Sequence, residues 1–182
     1  MKATMSSKED VISERAIGKL VKRSNRLFIH VVIVCKFVYE GEWFVVKHLN
    51  KLLEIEKSDS AELELNKMYM VVLDYSFVFV TKGLTPDEAE KVHSLFQHVV
   101  GAIIVMFDTM SFESLVGLLG VERERIIKTL SSLHSVINVL ERHTEPIRIL
   151  YPSFREFLLD PNRCIDKLYA ILAFNAHGRL LT

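Results

Sequence analysis

The stretch that most constrains this chain is residues 111–160, SFESLVGLLGVERERIIKTLSSLHSVINVLERHTEPIRILYPSFREFLLD. Ser111 stands where a cap for a short helix over 112–119 is needed, and Gly120 marks a turn. A second helix is expected from about Glu122 to Ile137, because Ile126, Leu130, Leu133 and Ile137 recur on one face. Residues 136–140 and 146–150 read as two short strands around ERHTE. Ser153 with Glu156 reads as a capping box opening a helix over 154–159, and Asp160–Pro161 ends it. The order is helix, turn, helix, β-hairpin, helix: a helix-turn-helix with a wing.

Upstream, TKGLTPDEAE is the clearest punctuation. Gly83 stops one helix. Thr85 caps the next, with Pro86 at its first position and Glu88 closing a capping box. From there Ala89, Val92, Phe96, Val99, Val100, Ile103 and Phe107 keep one face apolar, and Gly101 with Ala102 lets another helix approach closely. Residues 11–21 have amphipathic helical spacing. Residues 27–39 contain VVIV, which favours a strand, but their length and spacing fit a buried helix better, and helix is the reading adopted. A helical stripe follows over 45–55, then a polar loop over 56–62. Leu65, Met68, Tyr69, Val72, Tyr75 and Phe79 next sit at helical intervals, with SFVFV leaving the helix end open. Residues 166–181 read as a last amphipathic helix. The expected architecture is mainly α, a helical bundle part followed by a winged helix with a small two-stranded β-hairpin. Its parts are a disordered N-terminus (1–10), a helical part (11–82), a winged helix (84–160) and a C-terminal helix (161–182).

The 182 residues are 49% hydrophobic and carry 23 Lys+Arg against 23 Asp+Glu, so formal net charge is zero. That balance argues against a nucleic-acid or anionic-membrane partner. The most apolar runs, 27–39 and 99–107, are too short to span a bilayer. MKATMSSKED lacks the apolar run of a secretory leader. A cytoplasmic protein with reduced Cys35 and Cys164 is expected, Cys35 being buried. The scattered glycines form no phosphate-binding loop, and no histidine pair has the spacing of a zinc hydrolase. Nothing marks a strained nucleophile, and the carboxylates are spread along helix faces. No catalytic residue and no metal site is assigned, and the chain reads as a non-enzyme that binds no cofactor by itself.

A helix-turn-helix invites a DNA reading, in which the second helix offers side chains to the major groove. The candidates are Arg123, Arg125 and Lys128, with Arg142 from the wing. Two of the helix cations have acidic sequence neighbours, whereas phosphate contacts need a surplus of positive charge. The DNA-binding module is therefore the alternative reading.

GAIIVMFDTMSFESLVGLLGVERERIIKTLSSLHSVINVLE followed by IRILYPSFREFLLDPNRC resembles the segment after the NTPase core in fungal NACHT-type proteins. These are NLR-like STAND NTPases whose group includes heterokaryon incompatibility proteins. ERAIGKLVKRSNRLFIHVVIVCKFV is similar to the end of their NACHT module, and LNKMYMVVLDYSF to the helix that follows it. The resemblance is most specific over 101–164 and weaker over 14–38. It implies that the chain is the helical and winged-helix arm of a signalling switch, with the phosphate loop and the sensing repeats lying outside it. That makes it a fragment, a truncated product or a diverged remnant. The implied partner is an NTPase core in cis or in trans, with ADP, ATP or GTP bound only by a complete relative, which would also oligomerise. In such relatives the winged helix closes over bound ADP, and a histidine opening the helix after the wing reads its phosphate. Here Tyr151 occupies that position. A phenol donates one hydrogen bond but cannot become cationic. The residues implied to face the nucleotide are Tyr151, Ser153 and Arg155. Asn25 stands where the family favours glycine, a mild change because Asn tolerates a left-handed backbone. A degenerate remnant without activity is the remaining reading.

Overall fold

The computed structural model describes residues 29, 32–33, 35–36, 60–106, 110–138 and 146–180. The expected helix over 11–21, the stripe over 45–55, Asn25, Phe107 and the wing tip with Arg142 lie outside the described residues. The chain divides into two compact units, Met1–Val71 and Val72–Thr182. Among the described residues it is mainly helical, with one small two-stranded antiparallel sheet.

In the first unit, Ile29, Val32, Ile33, Cys35 and Lys36 are helical, which settles the 27–39 ambiguity at those positions in favour of helix. Ile33 is fully buried, but Cys35 is exposed. The expectation of a buried Cys35 is thus corrected. Two positions along a helix are about 200° apart around its axis, so residues 33 and 35 face opposite sides. Helix α1 (Ala61–Thr81) crosses the unit boundary. Its stripe of Leu65, Met68, Tyr69, Val72 and Tyr75 is buried as the spacing predicts. The strand-like SFVFV stays helical to Thr81. Ser76 Oγ donates to the Val72 carbonyl and Thr81 Oγ1 to the Phe77 carbonyl, bonds that a helix accommodates.

Within the second unit, TKGLTPDEAE gives the expected punctuation. Gly83 has φ +84°, and the Leu84 amide bonds the Thr81 carbonyl. Helix α2 (Pro86–Val105) then starts from a complete Thr85–Glu88 capping box with Pro86 in its first turn. Helix α3 (Phe112–Leu119) is capped by Ser111 and ends on Gly120 in the left-handed region, at φ +60°. Helix α4 (Arg123–Ser131) follows.

Three expected boundaries need correction. Helix α4 stops at Ser131, short of Ile137. Beyond it the Leu133 and Val136 amides reach back only three residues, to Leu130 and Leu133, so a tight turn replaces the helix. Leu133 and Ile137 are still fully buried, which is why the apolar period runs on past the helix. Second, helix α5 (Pro152–Leu159) begins at Pro152 with Tyr151 as its N-cap, so Ser153 lies inside the helix and not at its N-cap position. Proline's fixed φ starts the helix before Ser153 can. Third, helix α6 (Ala173–Leu180) begins at Ala173 and not at residue 166. Asp166 Oδ1 accepts the Leu168 amide, a local turn that competes with helix.

Strands β1 (Ile137–Asn138) and β2 (Arg148–Ile149) pair antiparallel, with Ile137 opposite Ile149 and Asn138 opposite Arg148. Successive amides of a strand point to opposite edges. The Leu150 amide bonds the Val136 carbonyl, whereas the Ile147 amide bonds Met110, next to the Ser111–Pro146 bridge. The 146–150 segment thus has a neighbour on each edge, one from just before α3 and one from just after α4. This ties the helix-turn-helix to its hairpin. The core beneath is built from Phe96, Leu115, Ile126, Leu130, Phe154 and Phe157, all fully buried.

Candidate functional site

The residues implied to face a nucleotide cluster at the start of α5. Tyr151 ends the strand segment with an extended backbone and contributes no side-chain capping bond. It is half-buried, and burial pushes its phenol above the ordinary range. Ser153 is half-buried one residue into the helix after Pro152. Arg155 behaves differently. Its Nε donates to the Ile104 carbonyl at 2.9 Å, in the last turn of α2. One edge of its guanidinium is therefore committed to the protein's own backbone.

Of the residues of the DNA reading, Arg123, Arg125 and Lys128 share helix α4. Arg123, at the start of α4, forms an ion pair through Nη2 with both carboxylate oxygens of Glu113 on α3. Its guanidinium carbon lies 5.2 Å from the centre of the Phe112 ring. The hydrogen bond that Arg123 donates to Glu113 holds the guanidinium above its ordinary pKa, which strengthens an already permanent charge. A cation so neutralised adds little to a phosphate-binding surface. Arg125 and Lys128 are exposed, as is Ile127 between them.

A third cluster joins residues that no local pattern connects. Phe77 of α1 stacks on His93 of α2, with ring centroids 4.9 Å apart and planes 22° apart. Tyr169 packs against Phe77, His93 and Phe96 at 5.4, 5.6 and 6.0 Å. Its hydroxyl interacts with the Asp74 carboxylate. Burial raises both groups, and neighbouring carboxylate charge raises them further. Gln97 Nε2 lies within hydrogen-bonding reach of the carbonyls of Lys167, Leu168 and Ala170, and the Ile171 amide bonds the Leu158 carbonyl. A groove of about 410 Å³ opens beside this segment, lined among others by Gln97, Cys164, Ile171 and Ala176. Burial pushes the Cys164 thiol up to about 12, so it is not a nucleophile at neutral pH.

Sequence reading missed this cluster because Tyr169 falls where a surface helix is expected. The available signal was the pairing of His93 and Phe96, three apart on one face of α2. Among the described residues, no group of three or more His, Cys, Asp or Glu side chains could hold a metal ion. Among them, too, no helix is long and apolar enough to cross a membrane. Comparison with protein-family models, with curated proteins and with solved structures finds no match.

Proposed function

We propose that this chain is a non-catalytic regulatory arm of a NACHT-type signal-transduction NTPase, acting in the cytoplasm by packing its winged helix on a nucleotide-bound core. Two states of the core differ in nucleotide, and an arm that binds one of them better shifts the balance between them. The observation that carries this reading is the junction at Tyr151. The strand segment after the wing runs directly into α5 there, and Tyr151 is the N-cap residue with no capping bond from its side chain. In the family that the sequence resembles, this is the position that reads the nucleotide. Tyr151 and Ser153 are the residues assigned to it. Arg155 keeps a lesser role, because its Nε already serves Ile104. The Arg123–Glu113 pair favours this reading over DNA binding, since it neutralises the leading cation of the second helix.

The test is binding of the full chain to a purified fungal NACHT core in trans, with ADP, with a non-hydrolysable ATP analogue and without nucleotide. The arm is expected to bind the ADP-loaded core about tenfold more tightly, a coupling of roughly 1.4 kcal/mol. Tyr151→Ala is expected to erase that preference. Equal binding in all three states sinks the switch, and no binding at all favours the inert remnant. Fluorescence polarisation with mixed duplex DNA at low salt is expected to show no binding. Binding that weakens steeply as salt is added favours the DNA alternative.

A further inference from the structure

The 161–172 segment between α5 and α6 makes little regular structure, yet the protein holds it at defined points. Tyr169 is buried in the Phe77–His93–Phe96 cluster, Gln97 holds the segment's carbonyls, and Ile171 bonds Leu158. His93 sits at the edge of this arrangement, stacked on Phe77 and edge-on to Tyr169 at 61°. Its Nδ1 is buried and has no hydrogen-bond partner among the described residues.

The chemistry of that nitrogen matters. A neutral imidazole needs only one N–H, so its other nitrogen can be left as a lone pair at modest cost. An imidazolium is a donor at both nitrogens and needs an acceptor for each, and a buried Nδ1–H without an acceptor is costly. We propose that His93 is an acid-sensitive latch for the 161–172 segment: the neutral ring completes the stack with Phe77 and Tyr169, and protonation at Nδ1, where no acceptor stands, opens it.

The charged and titratable groups facing the ring come from two elements. From the segment itself come the Asp166 carboxylate and the Tyr169 phenol, and from α1 comes Asp74, which acts on Tyr169 and through it on the stack. Asp166 attracts an imidazolium, but burial opposes it more strongly, and the net effect holds His93 below its ordinary value of 6.5. For a histidine with a lowered folded pKa, the unfolded or opened form takes up the proton first. The latch is thus closed above pH 6.5 and weakens as pH falls from there through the folded value. Asp74 has the opposite sign: its raised pKa means the closed form takes up that proton more readily, from above its ordinary 3.8. A loss of closure on acidification therefore belongs to His93 and not to Asp74.

The experiment is hydrogen exchange on the full chain at pH 7.5 and 5.0, corrected for intrinsic exchange rates, followed at peptides covering the Ala170 and Ile171 amides. Protection there is expected to fall about tenfold at the lower pH, the scale of one unsatisfied buried donor. His93→Phe keeps an aromatic ring on Phe77 and cannot be charged, so its protection is expected to be independent of pH in this range. Unchanged protection in the natural chain, or the same fall in His93→Phe, overturns the proposal. An NMR titration of the His93 ring in the natural chain needs no variant. A midpoint below 6.5 supports the latch, and one at or above it overturns it.

Discussion

Arg155 donates its Nε–H to the carbonyl oxygen of Ile104 across 2.9 Å, joining the body of α5 to the end of α2. The last carbonyls of a helix have no partner within it, and the negative end of the helix dipole lies there. A guanidinium answers both needs. The contact also fixes where α5 starts to run, and so where Tyr151 stands.

Removing this contact should be felt as stability. Arg155→Ala is expected to lower unfolding free energy by about 1 kcal/mol, below the usual range for a charged hydrogen bond because the side chain is otherwise exposed. Arg155→Lys keeps the charge but not the planar geometry and should recover only part of the loss. Urea denaturation followed by circular dichroism measures both. A loss of core binding without any loss of stability would instead point to a direct role at the nucleotide.

Gly101 is a second contact point. A Cβ built there would lie 3.3 Å from Ala176 Cβ and 3.7 Å from Ile171 Cγ2. Helix α6 therefore rests against α2 so closely that a Cβ at Gly101 would make an unusually tight contact. Gly101→Ala gains about 1 kcal/mol of helix propensity and loses a comparable amount to the contact, so it should be nearly neutral. Gly101→Leu cannot be absorbed this way and is expected to cost about 2–3 kcal/mol, the upper range for overpacking. Thermal melts of the two variants test the contrast, and equal melting of both would show that α6 does not rest there.

The Thr85–Glu88 box should be visible in a pH titration. Thr85 gives Glu88 both its backbone N–H and its hydroxyl, each at 2.8 Å, and these bonds lower the Glu88 pKa from its ordinary 4.5. A lowered carboxylate contributes stability that is present above the unfolded value and lost as pH falls through the folded one. The Glu88→Gln variant should thus differ most from the natural chain above pH 4.5, and the two should converge below it. Thr85→Ala should cost about 1 kcal/mol at neutral pH, as loss of an N-cap does. A Glu88→Gln difference that persists unchanged into acid would show that the box does not form.

These examples separate what local sequence can specify from what it cannot. The caps at Thr85, Ser111 and Gly120 depend on residues within one turn, so their chemistry is readable before any fold is known. The fold class follows from such signals together with the apolar periods of α1, α2 and α4. The ends of α4 and α6 are not readable in that way. Leu133 and Ile137 keep helical spacing because the tight turn buries them as well as a helix would. Asp166 looks like the start of an amphipathic helix, but it bonds the Leu168 amide and holds a turn. The candidate sites depend on partners distant in sequence. Nothing near Arg155 announces Ile104, nothing near Arg123 singles out Glu113 from other carboxylates, and His93 meets Tyr169 only after the chain has folded.

The two cysteines give the most direct check on burial. Cys35 is exposed on its helix. Cys164 is almost fully buried, its thiol faces the Asp166 carbonyl at 3.7 Å, and burial followed by the Asp166 charge pushes it up to about 12. Thiolate is the species that alkylates, so Cys164 is doubly protected, by access and by protonation. Iodoacetamide at pH 8 is expected to label Cys35 within minutes and to leave Cys164 unlabelled in the native chain. Both should react in denaturant, as peptide mass spectrometry will show. If the 161–172 segment opens in acid, brief exposure to pH 5 with a pyridyl disulfide, which stays reactive in acid because its own ring is protonated, should begin to label Cys164. That labelling should disappear in His93→Phe. Rapid labelling of native Cys164 at pH 8 would instead show that the segment is not held closed, and both the buried thiol and the latch would fall together.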